Sequence, residues 1–199
     1  MNRLAKRFPL IALSAALALA LTLAACETPV EVQKFPEITF AHLAPVSLDV
    51  AKVEVVARYQ PPMKAPNVDH LLPAPPIKVL RRWAADRLKP VGRSGTAQLV
   101  IHVASVVETA LEQKTGLKAT FTKQQAQRYD FLIESSLEVA DARRRGRAEA
   151  RVTRFTTMRE DVSLNERDRI WFKEVETMMN DFNAEMEKNI RQYLGAWLK

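Results

Sequence analysis

The chain has 199 residues, 47% of them hydrophobic and 27% charged, with a formal charge of +7 and a single cysteine. That composition is globular, so a chain disordered throughout is excluded, and one thiol excludes an internal disulfide. Three of the positive charges lie in the first seven residues; without them the excess is about +4, a weak match to a nucleic-acid partner.

Residues 1–25 read as a signal peptide. Arg3, Lys6 and Arg7 form a basic start, and Leu10 to Ala20 is an almost unbroken apolar run. The run is short and alanine-rich, below the roughly 20 apolar residues of a spanning helix. Its last residues, Leu23-Ala24-Ala25-Cys26, resemble the lipobox of bacterial lipoproteins. The resemblance implies that Cys26 is acylated and becomes the first residue of the mature protein. Residue 27 is Glu; in enteric bacteria an aspartate there favours inner-membrane retention, so the expectation leans to the outer membrane.

Residues 26–47 carry Pro29, Pro36 and Pro45 with little apolar periodicity and are expected to be the lipidated N-terminus and a tether. A single domain is expected over 48–199. Val53, Val55, Ala57 and Tyr59 alternate with Lys52, Glu54 and Arg58, the period of a half-buried strand. A proline-rich loop follows over 60–76. Ile77, Leu80, Trp83, Ala84, Leu88 and Val91 then recur at helical spacing between Pro75-Pro76 and Gly92, which predicts a helix. Residues 96–111 start as a strand apolar on both faces, hence central, with Leu99, Ile101, Val103 and Val107 expected to share a side. A polar connection with a turn at Thr115-Gly116 leads to a strand in which Tyr129, Phe131, Ile133, Leu137 and Val139 alternate with Asp130, Glu134 and Glu138. A turn near Gly146 returns the chain as a fourth strand, with Ala148, Ala150 and Val152 inward. Residues 163–199 predict a long helix, opened by a Ser163/Glu166 capping box and carrying an apolar stripe from Leu164 to Trp197.

The order β-α-β-β-β-α gives an α+β two-layer sandwich: a four-stranded mixed sheet with two helices on one face. The crossover helix makes the first two strands parallel, and the hairpins make the others antiparallel.

Few residues suggest chemistry. His42, His70 and His102 sit in unrelated segments, so no metal-ligand set and no cofactor is expected. Asp69-His70 lacks a nucleophile beside it in sequence. Ser94 in "VGRSGT" is not the Gly-x-Ser-x-Gly elbow, and "QKTGLK" lacks the phosphate-loop pattern. Arg143, Arg144, Arg145, Arg147 and Arg151 form the densest basic stretch. Guanidinium suits lipid or lipopolysaccharide phosphates, while the same charges on a hairpin tip would also guard against edge pairing. Trp171, Met178, Met179, Phe182 and Met186 could line an apolar groove or pack as core.

Signal, lipobox, tether and one β-α-β-β-β-α domain resemble the small accessory lipoproteins of Gram-negative envelopes, including the lipopolysaccharide-assembly lipoprotein and the auxiliary lipoproteins of ABC-type lipid transporters. The resemblance implies a non-enzymatic protein anchored by its N-terminal lipid, working with an envelope protein partner in outer-membrane assembly or lipid transport. The alternative expectation is a periplasmic lipid carrier or sensor with an apolar groove between helix and sheet.

Overall fold

A computed structural model describes residues 33–112 and 124–199; the signal segment, Cys26 and the expected Thr115-Gly116 turn lie outside the described residues. Residues Lys34–Lys199 form one compact unit. Among the described residues six strands and two α-helices follow in order: β1 (Val46–Leu48), β2 (Lys52–Ala57), α1 (Pro76–Arg87), β3 (Leu88–Pro90), β4 (Thr96–Ala110), β5 (Gln125–Ala140), β6 (Arg145–Arg159) and α2 (Leu164–Tyr193). Single 3₁₀ turns occupy Asp69–Leu71 and Gly195–Trp197.

The main sheet has the order β2-β4-β5-β6. β2 runs parallel to β4, as a connection through α1 requires, and β4, β5 and β6 are antiparallel neighbours. Both helices cover one face, so the fold is the α+β sandwich that the periodicities predict. Between the layers lie Trp83, Leu99, Ile101, Phe131, Ile133, Trp171, Met178, Met179, Phe182 and Met186, each no more than 1% exposed. Trp83 meets Phe182 edge to face at 5.1 Å between centroids, and Tyr129 meets Trp171 in the same way at 5.3 Å. The methionine and aromatic stripe of α2 is therefore core.

Several details depart from expectation. The described part of the expected tether is packed: Phe40 is 2% exposed, its amide donates to Asp86 Oδ2 at 2.8 Å, and Thr39 Oγ1 donates to the same oxygen at 2.6 Å. The first helix stops at Arg87 rather than running to Val91, because Pro90 disfavours helical dihedrals at Lys89. Leu88–Pro90 instead pairs in parallel with β1 as a small second sheet. A bulge in β4 between Ile101 and Val103 shifts the alternation. Ala97, Leu99 and Ile101 face the helices before it and Ala104 and Val106 after it, so Val103 and Val107 lie on the opposite face from Leu99.

The β5–β6 turn also sits earlier than Gly146. Asp141 Oδ1 accepts the amides of Arg143 and Arg144 at 2.8 and 3.0 Å, a side-chain mimic of a turn. Gly146 lies inside β6, under the end of the chain, where an added Cβ would stand 2.5 Å from the Trp197 ring and 2.7 Å from Leu194. Ser163 caps α2 as expected, accepting the Glu166 amide at 3.2 Å, while the Glu166 carboxylate turns to Arg169 at 2.9 Å.

Beyond α2, the chain is tied to β1: the Asp49 amide donates to Trp197 O at 2.7 Å and the Lys199 amide to Ser47 O at 3.1 Å. Gly146→Ala should therefore destabilise the fold by about 1–3 kcal/mol through overpacking. The urea unfolding midpoint checks it; a midpoint equal to wild type would mean that Trp197 is not held there.

Candidate functional site

With both helices on one side, the other face of the main sheet is covered by no helix among the described residues, and its side chains can be read row by row across the strands. The row nearest the β5–β6 turn is Lys52, Thr96, Ala140 and Arg145. The second is Glu54, Gln98, Glu138 and Arg147, and the third Val56, Val100, Ser136 and Glu149. Thr96 and Ala140 are short, so the first row dips between longer neighbours. A cleft of about 710 Å³ opens there, lined by Glu54, Thr96, Gln98, Glu138, Arg145 and Arg147 among others.

Within the second row the charges are partly matched. Gln98 Nε2 donates to Glu54 Oε2 at 2.9 Å, and Lys52 Nζ pairs with the other Glu54 oxygen. The hydrogen bond from Lys52, then that from Gln98, holds the Glu54 carboxyl below its ordinary pKa. Arg147 pairs with Glu149 at 2.6 Å and stands 3.9 Å from Glu138.

The five arginines of the basic stretch are not brought together. Arg145, Arg147 and Arg151 alternate along the open face of β6, and Arg151 lies 3.9 Å from Glu134. Arg144 turns to the end of the chain: its guanidinium pairs with Asp141 at 3.1 Å, donates to Ala196 O at 2.9 Å and stacks 4.6 Å from the Trp197 ring. Arg143 lies at the exposed turn itself. Cys26 lies outside the described residues.

Asp141 organises this turn. The Arg143 amide holds its carboxyl down to about pKa 2, reinforced by Arg144 and by Trp197 Nε1 at 3.0 Å against a smaller opposing effect of desolvation.

Farther along the open face, His102, the residue set apart by the bulge, has Nε2 2.8 Å from Ser136 Oγ, which in turn donates to Glu138 Oε1 at 3.3 Å. The hydroxyl sits between imidazole and carboxylate, whereas a nucleophilic triad needs the imidazole between hydroxyl and acid. Ser136 is also 0% exposed. At the proline-rich loop, the 2% exposed Asp69 accepts Tyr59 Oη at 3.2 Å, and burial, then the Asp69 charge, pushes the Tyr59 phenol up to about 12. This loop closes the sheet: the Val68 amide donates to Val106 O and the Glu108 amide to Pro66 O, both at 2.9 Å, where β2 no longer accompanies β4. Among the described residues no three His, Cys, Asp or Glu side chains gather as metal ligands, and no helix is long and apolar enough to cross a membrane.

The sequence holds one signal for the open-face rows, the polar residues at alternate strand positions. Which rows they join depends on register, which sequence spacing does not supply across the two loops.

No protein-family model matches this chain, and no curated protein matches it. Solved structures similar to it in part include the rare lipoprotein B from Shewanella oneidensis, at 11% identity over 69% of this chain and 92% of that one, with a TM-score of 0.35, and a minor lipoprotein from Acinetobacter baumannii, at 11% identity over 72% and 91%, with a TM-score of 0.33. Likenesses at this level carry no argument about what this chain does.

Asp141→Asn should lower the melting temperature at neutral pH. A carboxyl with a folded pKa depressed to about 2 stabilises the fold above its unfolded value near 4 and loses that contribution as pH falls through the folded value. The wild-type advantage should therefore shrink between pH 4 and 2; an advantage constant over that range would contradict the assigned turn.

Proposed function

We propose that the protein is a non-enzymatic lipoprotein of a bacterial cell envelope, held to a membrane through Cys26, and that it acts as an accessory to a membrane protein in outer-membrane assembly or lipid transport. The observation that carries the reading is Leu23-Ala24-Ala25-Cys26 behind a basic start and an apolar run. The compact unit begins at Lys34, eight residues beyond Cys26. A fully extended chain covers at most about 3.6 Å per residue, so the unit starts within roughly 29 Å of an acylated Cys26. A domain tethered that closely would meet partners at the membrane rather than deep in the periplasm.

The buried α2 stripe favours a surface role over transport of an acyl chain between the layers, and the open sheet face is the surface left for it. Glu27 in place of aspartate makes the outer membrane the expected address. No catalytic arrangement enters the reading, since Ser136 is enclosed and His70 is not joined to a nucleophile among the described residues.

In cells fed a labelled fatty acid, the wild-type protein should carry label and sediment with membranes, while Cys26→Ser should do neither. Crosslinking the lipidated protein in cells should capture an outer-membrane barrel or a lipid-transporter component. Label persisting in Cys26→Ser would contradict the anchor, and capture of soluble periplasmic proteins alone would contradict the accessory role.

A further inference from the structure

We infer that the open-face cleft at the turn end of the sheet binds a short zwitterion that carries a phosphate and a primary ammonium, as phosphoethanolamine does. Two cross-strand rows carry the argument. On the β6 side stand Arg145 and Arg147; on the other strands stand Glu138, on β5, and Glu54, on the edge strand β2. Neighbouring strands lie about 4.8 Å apart, so β2 and β6 are separated by roughly 14 Å. That span accepts a small ligand lying across the strands, its phosphate on the arginines and its ammonium on the carboxylates. Between them Thr96 and Ala140 leave the floor low, and Gln98 offers amide groups at the centre of the row.

The cleft's own charges fill it only in part: Lys52 and Gln98 share the Glu54 carboxylate and Glu149 holds Arg147 at 2.6 Å, contacts a ligand has to exchange, while Arg145 and Glu138 stand more open. Among the described residues no ion pair engages the Arg145 guanidinium. Arg147 holds Glu138 only at 3.9 Å, and Glu138 is 38% and Arg147 49% exposed at the side chain. Charge-assisted contacts to a phosphate or an ammonium close to about 2.7–2.9 Å, so Glu138 gains by turning to an ammonium, while Arg147 would exchange Glu149 for a phosphate. Guanidinium offers a planar fork to phosphate oxygens, whereas two carboxylates in the same cleft repel a plain anion and attract an ammonium. A primary ammonium has three donors for Glu54 and Glu138; a quaternary one has none. Opposed charge at the two ends thus selects a zwitterion over an anion of the same size.

The ligand chemistry has two sources, a lipid headgroup and a soluble phosphoethanolamine. Only the first rests on the envelope reading. The test is calorimetric titration of the full lipidated chain in neutral detergent with O-phosphoethanolamine, inorganic phosphate, ethanolamine and phosphocholine. O-Phosphoethanolamine should bind at least tenfold more tightly than each of the other three. Arg145→Ala and Glu54→Gln should each weaken it tenfold or more with unchanged unfolding midpoints. Glycerophosphoethanolamine compared with lysophosphatidylethanolamine then separates the sources: tighter binding of the lyso-lipid assigns a headgroup, and equal binding a soluble ligand, either supporting the cleft. Cys26→Ser in the same titration separates a failed anchor from a failed cleft. No binding of O-phosphoethanolamine, equal binding of phosphate, or full affinity in Glu54→Gln would overturn the inference.

Discussion

The two-layer packing turns on one buried cation. Arg87, at the end of α1, is 2% exposed, and its guanidinium reaches three residues in two separate parts of the chain. Nη2 pairs with Glu187 on α2 at 2.6 Å, Nε donates to Asn183 on α2 at 3.1 Å, and Nη1 donates to Ala44 O in the segment before β1. Asn183 Oδ1 also accepts Trp83 Nε1 at 2.9 Å, so the largest aromatic of α1 shares the network. Arg191 donates to the other Glu187 oxygen at 2.6 Å; that hydrogen bond first, with the nearby Arg87 charge, holds the Glu187 carboxyl below its ordinary pKa against the effect of burial. A buried charge without partners costs several kcal/mol, so the helices and the 38–48 segment dock together or leave Arg87 stranded. Asp86 beside it binds Thr39 and Phe40 from the same segment.

This arrangement divides the molecule by face. The helix side spends its apolar residues on core, and even its charges are committed, with Arg154 reaching across to Glu174 and Asp181, both at 3.1 Å. The open side keeps polar rows whose partners are exposed and exchangeable. Its most exposed apolar residue among those described, Phe155, is 60% exposed under the Arg128 guanidinium, 4.1 Å from the ring centre. Such a surface is soluble by itself and still carries a charge pattern that a polar ligand can read. Binding on this face would leave the helix packing intact.

The sheet and both helices were legible because their patterns are long and clean. The alternation from Tyr129 to Val139 and the stripe from Trp171 to Ile190 each repeat enough times to name an element and its buried side. What was not legible depended on contacts distant in sequence. The bulge at His102 leaves no mark in a strand apolar on both faces, so simple alternation puts Val103 and Val107 on the side of Leu99, opposite to where they lie. The described part of residues 26–47 looks like a tether because Pro36 and Pro45 hide that Phe40 fits a core built by α1. The arginines of 143–151 are neighbours in sequence, yet strand alternation and the stacking of Arg144 on Trp197 separate them. Glu54 and Arg147, far apart in the chain, end in one row only because register places them there.

The dependence of the fold on the Arg87 network is open to a direct measurement, a double-mutant cycle by urea unfolding with Arg87→Met, Glu187→Gln and the pair. Removing one partner of a buried ion pair costs about 3–5 kcal/mol, while replacing both together can cost far less. The account predicts a large loss for Arg87→Met, which leaves the Ala44 carbonyl unmet and Glu187 with Arg191 alone, and a coupling energy above about 1 kcal/mol between the two positions. A small loss in Arg87→Met, or strictly additive effects, would contradict it and leave apolar packing alone to hold the helices on the sheet.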